Sequence, residues 1–207
     1  IAHGWFVFGD SKMSKSKGNV IGPDELIKFY TETAGCSPEL AVDVVRFSLA
    51  RALPYEGDTN YTLEEVARIY NADLANDLGN ALNRSLSMAH KFTSGLVPDA
   101  AVEDDALKAV LEAKEEAEDA MNALRLDDVA AAGIDLIRWL NKYIDTRAPW
   151  ALAKNEDPAL AGVIRSMLYA VRNAEGLLRP FIPSTADAIA AQFQLPGLSE
   201  WAMIGTE

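Results

Sequence analysis

A long helical pattern starting at residue 62 constrains the fold of this chain more than any other feature. A capping box at 62–65, in which Thr62 bonds forward and Glu65 bonds back, marks its start. Apolar residues then recur every three or four positions to about residue 92, and Gly95 and Pro98 follow as helix-ending signals. The pattern predicts an α-helix much longer than the other elements of the chain.

More helical patterns follow it. Apolar spacing predicts helices over about 102–124, from a cap at Asp127 or Asp128 to Pro149, from Pro158 to about 178, and over 184–193. Short connections favour antiparallel neighbours. The fold class predicted is therefore mainly α, with a bundle of roughly five helices over 62–195 and a C-terminal tail over 196–207.

The first 61 residues have a different pattern. The apolar run 4–8 predicts a β-strand, signals at 22–23 and 37–38 begin two short helices, and the polar stretch 55–61 predicts a loop. A strand needs a sheet. We therefore expect residues 1–21 to be the remnant of a larger nucleotide-binding domain upstream, which would make the chain a fragment, and residues 22–61 to be a connecting region.

Composition excludes several classes of protein. A net charge of −12 argues against a general nucleic-acid coating protein but leaves room for a local site. One cysteine allows neither an internal disulfide nor a zinc site, and no other metal-ligand cluster is visible. No apolar window has the length of a membrane span, and the first residues given show no basic stretch followed by an apolar run, so we expect a cytoplasmic protein without a signal peptide or a membrane partner.

Three lysines lie close together near the N-terminus, at positions 12, 15 and 17. Small residues between them, with serine hydroxyls and backbone N–H groups, suit a loop that holds phosphate oxygens. An ordinary solvated loop with a lysine cluster is the alternative interpretation. No catalytic triad or paired-carboxylate site accompanies the loop.

The long helix has an unusual polar surface. Asn76, Asn80 and Arg84 are spaced by four, so they project from one face and could read the edges of single-stranded bases. A polar network between helices explains the same spacing equally well. Trp150 follows a helix-ending proline, where its ring could stack on a base, whereas Trp139 lies among apolar residues and is predicted to be core.

The string KMSKS at 12–16, with its flanking residues, resembles the second signature of class I aminoacyl-tRNA synthetases, and of the methionyl-tRNA synthetase family in particular. The resemblance implies that this segment closes over ATP. Lys15 would stabilise the charge that builds on the pyrophosphate, and Lys12 would assist it. The implied catalytic residues are thus Lys12 and Lys15, within an ATP and pyrophosphate loop formed by Lys12, Met13, Ser14, Lys15 and Ser16.

Two other segments resemble the anticodon-reading parts of the same family, namely 71–84 and 148–154. The resemblance assigns base-edge reading to Asn80 and Arg84, stacking to Trp150 and support to Asn76. It also implies that 1–21 is a remnant of the Rossmann catalytic domain, that 22–61 is a stem-contact connecting region and that 62–195 is the anticodon-binding bundle. The intact enzyme is implied to use ATP with Mg²⁺ and L-methionine, bound by the absent catalytic domain, and to charge tRNA(Met). This piece alone is expected to be inactive and to bind no cofactor.

The segment 43–47 resembles the Asp-x-x-Arg-aromatic pattern that follows the lysine loop in several class I synthetases, and Arg46 in it is expected to pair with a carboxylate. Two alternatives stay open at this point. The chain could be the corresponding region of a cysteinyl or leucyl synthetase, or a non-enzymatic helical interaction module whose loop binds phosphate incidentally.

Overall fold

A small sheet opens the structure, a computed structural model that describes residues 5–8, 11–14, 16, 18, 20, 22–54, 57–194, 197–198 and 200–206. Strand β1 (Phe6–Phe8) pairs antiparallel with β2 (Ser11–Lys12) and parallel with β3 (Thr59–Asn60). The predicted strand at 4–8 is therefore present, and it has a partner on each side.

The third strand comes from a stretch that was predicted to be a loop. Thr59 N–H donates to the Trp5 carbonyl (2.9 Å), and Tyr61 N–H donates to the Val7 carbonyl (3.1 Å). The β1 edge away from β2 offers backbone groups that need partners, and the extended residues before Thr62 supply them. Polar composition alone gave no sign of this pairing.

Two connecting helices link the sheet to the bundle. Helix α1 (Pro23–Ala34) ends at Gly35, whose φ of 66° only glycine adopts at little cost, and α2 (Pro38–Ala52) starts with Ser37 Oγ accepting from Leu40 N–H (3.2 Å). Their apolar faces form a small separate core with the start of the next helix. Its buried members are Leu26, Val44, Val45, Tyr61 and Val66.

The long helix is present but is not α-helical throughout. It consists of α3 (Leu63–Ile69), a π-helical stretch called here the π segment (Tyr70–Leu78), and α4 (Gly79–Thr93). Thr62 Oγ1 accepts from Glu65 N–H (3.2 Å), which is the forward half of the predicted capping box. The Glu65 carboxylate instead accepts from Arg68 Nε (2.8 Å) and Nη2 (2.6 Å), so it is held one turn further on.

The rest of the described chain is helical, and the mainly α prediction is confirmed. The helices are α5 (Asp104–Asn122), α6 (Leu126–Arg147), α7 (Pro149–Lys154), α8 (Ala159–Leu178) and α9 (Pro183–Gln192). Helix α6 starts at Leu126, so Asp127 and Asp128 lie in its first turn rather than at its cap. The reason is the tight turn before it, where Leu124 has a φ of 63° and Arg125 Nε donates to Asp128 Oδ2 (2.6 Å).

The main core lies between α4, α5, α6 and α8. Buried side chains such as Ile134, Leu140, Ile164 and Leu177 fill it. Gly133 of α6 faces Leu178 of α8, and a Cβ at this glycine would lie 2.7 Å from Leu178 Cδ2, so the two helices approach closely here. None of the helices in the described part of the chain is long and apolar enough to span a membrane.

Helix α2 and the C-terminal tail both contact this bundle. Asp43 of α2 is fully buried and accepts from the backbone N–H groups of Ser184 (3.3 Å) and Thr185 (2.6 Å) in the first turn of α9. Arg46, predicted to pair with a carboxylate, donates instead to the Pro180 carbonyl (2.7 Å). In the predicted tail Ile204 is buried, so the described tail residues pack on the bundle.

Candidate nucleic-acid interface

The lysine loop is described only in part. Lys12 belongs to β2 through its backbone, Met13 and Ser14 are half-buried, and Ser16 is exposed. The Ser14 and Ser16 hydroxyl oxygens are 2.8 Å apart and share a hydrogen bond, which draws the two serines of the loop together. Lys15 lies outside the described residues, so the phosphate role predicted for it stays a prediction.

A ladder of polar contacts joins the long helix to α6. Arg138 Nε donates to Asp77 Oδ2 (2.8 Å), and Asn80 Nδ2 donates to Asn141 Oδ1 (3.2 Å). Further along, Arg84 Nη2 donates to Asp145 Oδ1. Each pair is separated by 61 positions in sequence, so the two helices run in the same direction and keep one register along the ladder.

Two of the side chains that the sequence singled out on the long helix, Asn80 and Arg84, belong to this ladder, and Asn76 lies on the same helix without a contact to α6 among the described residues. Asn76 and Asn80 are exposed, and the Arg84 side chain is 21% exposed beside Asp145, which is 67% exposed. The interhelical network expected as the alternative is therefore present at Asn80 and Arg84. These two side chains are held by α6 from one side while Asn80 keeps a solvent-facing surface.

Trp150 is presented by the junction after α6. Ala148 ends that helix in the left-handed region (φ 46°), with its N–H bonded to the Ile144 carbonyl (3.0 Å), and Pro149 is buried at the first position of α7. Trp150 follows with 47% of its surface exposed. Trp150 therefore follows the last ladder residue of α6, Asp145, in sequence, after the break at Ala148.

The prediction for Trp139 needs a correction, since it is half-buried rather than core. Its ring stacks on Tyr143, with centroids 4.9 Å apart, along a cavity of about 350 Å³ between α5 and α6. Burial raises the pKa of the Tyr143 phenol, and the hydrogen bond to Glu103 raises it further. Lys108 and Glu112 line the cavity together, so its walls carry both signs of charge and give no anion-selective surface.

Sequence reasoning missed the charged cluster that braces the π segment. Asp73 is buried, and its carboxylate accepts from Arg51 Nε of α2 (3.1 Å) and from Arg138 Nη2 of α6 (2.7 Å). Arg138 also donates to Asp77 and Asp135. Burial opposes the Arg138 charge, but hydrogen bonds to these carboxylates outweigh it, and the pKa of Arg138 is raised. The available signal was a polar stripe on α6 at 138, 141 and 145.

Comparisons with known proteins identify the class. The family model of class I tRNA synthetases (M) matches residues 1–86, which include the lysine loop, Asn80 and Arg84. The chain is thus of the class I aminoacyl-tRNA synthetase type. A second family model, the anticodon binding domain of methionyl tRNA ligase, matches residues 97–204, more than half of the chain, and includes Trp150. The chain belongs to the methionyl-tRNA synthetase family.

Individual relatives agree with this assignment. A methionine–tRNA ligase of Clostridium tetani is 34% identical over 99% of this chain and 31% of its own length, and one of Streptococcus pyogenes is 38% identical over 97% and 30%. Among solved structures, Mycobacterium tuberculosis methionyl-tRNA synthetase in complex with methionyl-adenylate aligns with a TM-score of 0.72 at 30% identity, covering 94% of this chain and 38% of that one. The chain spans about a third of the length of the curated relatives it matches.

Proposed function

We propose that this chain supplies the lysine loop and the anticodon-reading bundle of a methionine–tRNA ligase. The longer enzyme would activate L-methionine with ATP and attach it to tRNA(Met) in the cytoplasm. One observation carries the proposal within its family context: the ladder holds Asn80 and Arg84 on the long helix, and the half-exposed Trp150 follows the last ladder residue of α6 in sequence.

Reading would begin with a base that leaves the stack of the anticodon loop. Stacking on the Trp150 ring contributes about 1 to 3 kcal/mol and suits any base. Selectivity must come from hydrogen bonds to the base edge, for which Asn80 offers an amide and Arg84 a guanidinium. Asp145 neutralises Arg84 and fixes its direction, so the guanidinium acts as a set of aimed N–H donors. Asn76, exposed on the same helix, is proposed to support this face.

The lysine loop is proposed to serve the activation step. When the methionine carboxylate attacks the α-phosphorus of ATP, the bond to pyrophosphate breaks and negative charge moves onto the leaving group. Ammonium groups at Lys12 and Lys15 would stabilise that charge, with Met13, Ser14 and Ser16 forming the rest of the loop. Mg²⁺ is proposed to arrive bound to ATP.

The test of anticodon reading is a binding comparison with two tryptophan variants. Dissociation constants of the chain for a tRNA(Met) anticodon hairpin are measured by filter binding for wild type, Trp150→Ala and Trp201→Ala. Loss of one stacking platform should weaken binding about 5- to 150-fold in Trp150→Ala. Trp201, with 36% of its surface exposed, is the matched control and should bind as wild type does. Equal affinities for all three proteins would refute the assignment of Trp150.

The lysine loop has a separate test in the full-length enzyme. Lys15→Ala should slow methionine-dependent exchange of pyrophosphate into ATP while leaving affinity for the anticodon hairpin unchanged. A normal exchange rate would argue against the proposed role of Lys15.

A further inference from the structure

An apolar strip, called here the α5 strip, runs along the outer side of α5 and the tail that packs on it. Leu111 and Met121 of α5 are 54% and 45% exposed, and Trp201 and Met203 of the tail are exposed as well. The indole N–H of Trp201 donates to the Glu118 carboxylate, which sets the ring beside Met121 at a cavity of about 360 Å³. Exposed apolar side chains that lie together mark a surface that binds a partner.

The tail is held in place, so the α5 strip is already formed in the free chain. Ile204 is buried, and its carbonyl accepts from Lys114 Nζ of α5 (2.9 Å). Gly205 N–H donates to Oδ1 of the buried Asn173 on α8 (2.7 Å). A Cβ on Gly205 would lie 3.2 Å from Leu111 Cδ2, so the end of the tail lies against the start of the strip. A surface that needs little reordering loses less entropy when a partner binds.

The charges beside the α5 strip select the kind of partner. The exposed acids of this helix that follow Leu111 are Glu112, Glu115, Glu116, Glu118 and Asp119. Both lysines of α5 are engaged, because Lys114 binds the tail carbonyl and Lys108 pairs with Glu112 (3.6 Å). RNA phosphates or the same face of a second copy would bring like charge against these carboxylates. A basic partner is attracted instead.

We infer that the α5 strip docks a basic amphipathic helix of a protein partner. Leu111 and Met121 are about 15 Å apart along α5, a span that about three turns of a partner helix cover. The apolar face of that helix packs on Leu111 and enters the cavity beside Trp201, while lysine or arginine on its flanks pairs with Glu115 and Glu118. The inference does not depend on the proposed function, because it uses none of the residues assigned to RNA.

The probe is a fluorescently labelled model peptide of about four helical turns, made of leucine and lysine with every leucine on one face. Fluorescence anisotropy measures its dissociation constant for the chain. The titration uses about 150 mM salt, where long-range attraction to the net charge of −12 is largely screened. The wild-type chain should bind the peptide saturably, and a peptide with glutamate in place of lysine should bind at least about tenfold more weakly.

Two substitutions test the α5 strip, each with a matched control. Leu111→Ser should weaken binding about fivefold or more, whereas Leu96→Ser, at an exposed leucine outside α5, should leave it unchanged. Glu115→Lys should weaken binding about five- to tenfold. Glu116→Lys makes the same change of net charge, but Glu116 lies about 140° from Leu111 around the helix axis, against about 40° for Glu115. Its effect should stay below about twofold, and circular dichroism checks that each variant is folded.

The inference is overturned if the wild-type chain shows no saturable binding, if the lysine and glutamate peptides bind equally, or if Glu115→Lys and Glu116→Lys weaken binding to the same extent. A Leu111→Ser variant that binds as wild type does also overturns it. Analytical ultracentrifugation of the chain without peptide tests the remaining occupant. Self-association that Leu111→Ser abolishes would assign the α5 strip to a second copy of the chain, against the inference.

Discussion

Asp43 offers the sharpest test of how the connecting region is held to the bundle. Its carboxylate is fully buried and accepts from two backbone N–H groups in the first turn of α9, 141 and 142 positions away. The first N–H groups of a helix have no intrahelical partner, so Asp43 acts as the N-terminal cap of a distant helix. Asp43→Ala removes the charge and leaves both N–H groups without their acceptor.

The magnitude follows from those two bonds. A hydrogen bond to a charged group contributes about 1.5 to 3 kcal/mol, so losing both should lower the free energy of unfolding by about 3 to 6 kcal/mol. With a urea m-value of about 2 kcal/mol/M, the midpoint should fall by roughly 1.5 to 3 M. The assay is urea unfolding followed by circular dichroism at the helical band.

The control is another aspartate, on α9, the helix that Asp43 caps. Asp187 of α9 pairs with Arg179, but it is 73% exposed, so Asp187→Ala should cost no more than about 1 kcal/mol. If Asp43→Ala and Asp187→Ala differ by less than about 1 kcal/mol, burial and capping do not set the contribution of Asp43.

Two further predictions concern packing and alkaline pH. Gly133→Ala places a methyl group 2.7 Å from Leu178 Cδ2 in the core and should destabilise the chain by about 1 to 3 kcal/mol. The control is Gly162→Ala on α8, whose nearest neighbour is 3.5 Å from the added methyl group, and it should be neutral or stabilising. Thermal unfolding compares the two variants, and equal melting temperatures would contradict the close approach of α6 and α8. Burial, followed by the nearby Tyr61 and Glu64, raises the pKa of Tyr30 to about 12 from its ordinary value of 10.0. The neutral Tyr30 phenol therefore contributes fully to the free energy of unfolding below pH 10, and this contribution is lost as pH rises toward 12. In Tyr30→Phe the free energy of unfolding in urea should fall less between pH 9 and pH 11.5 than it does in wild type. An unchanged pH dependence in the phenylalanine variant would show that Tyr30 titrates normally.

Helix positions were predictable because they depend on local signals. Ser37, Thr62 and the Gly35 stop act within one turn of themselves, so the ends of α1, α2 and α3 could be read from neighbouring residues. Strand β3 could not be predicted, since Thr59 and Asn60 are extended only because β1 is beside them. Their polar composition carries no trace of that partner.

The roles of the candidate site residues stay predictions, but part of their arrangement could be predicted from the sequence. Spacing by four identified Asn76, Asn80 and Arg84 as one face, and the proline before Trp150 indicated an exposed ring. Spacing could not show which helix lies opposite, so the partners of that face on α6 were missed. The role of Arg46 was misassigned for a related reason: a guanidinium binds a carbonyl as readily as a carboxylate, and only the fold brings Pro180 to it.

The π segment has a consequence for how this helix tolerates insertions and deletions. A π turn holds more residues than an α turn and is commonly equivalent to one residue added to an α-helix. Removing one residue from Tyr70–Leu78 could restore α geometry and leave the later side chains in phase. If the same nine residues wound as an α-helix with none removed, every later side chain would instead rotate by about 100° around the axis. Asn80 and Arg84 would leave α6, while Asp73 kept its place. The π winding therefore sets the angular phase between the half of the helix that is anchored and the half that carries the proposed reading face.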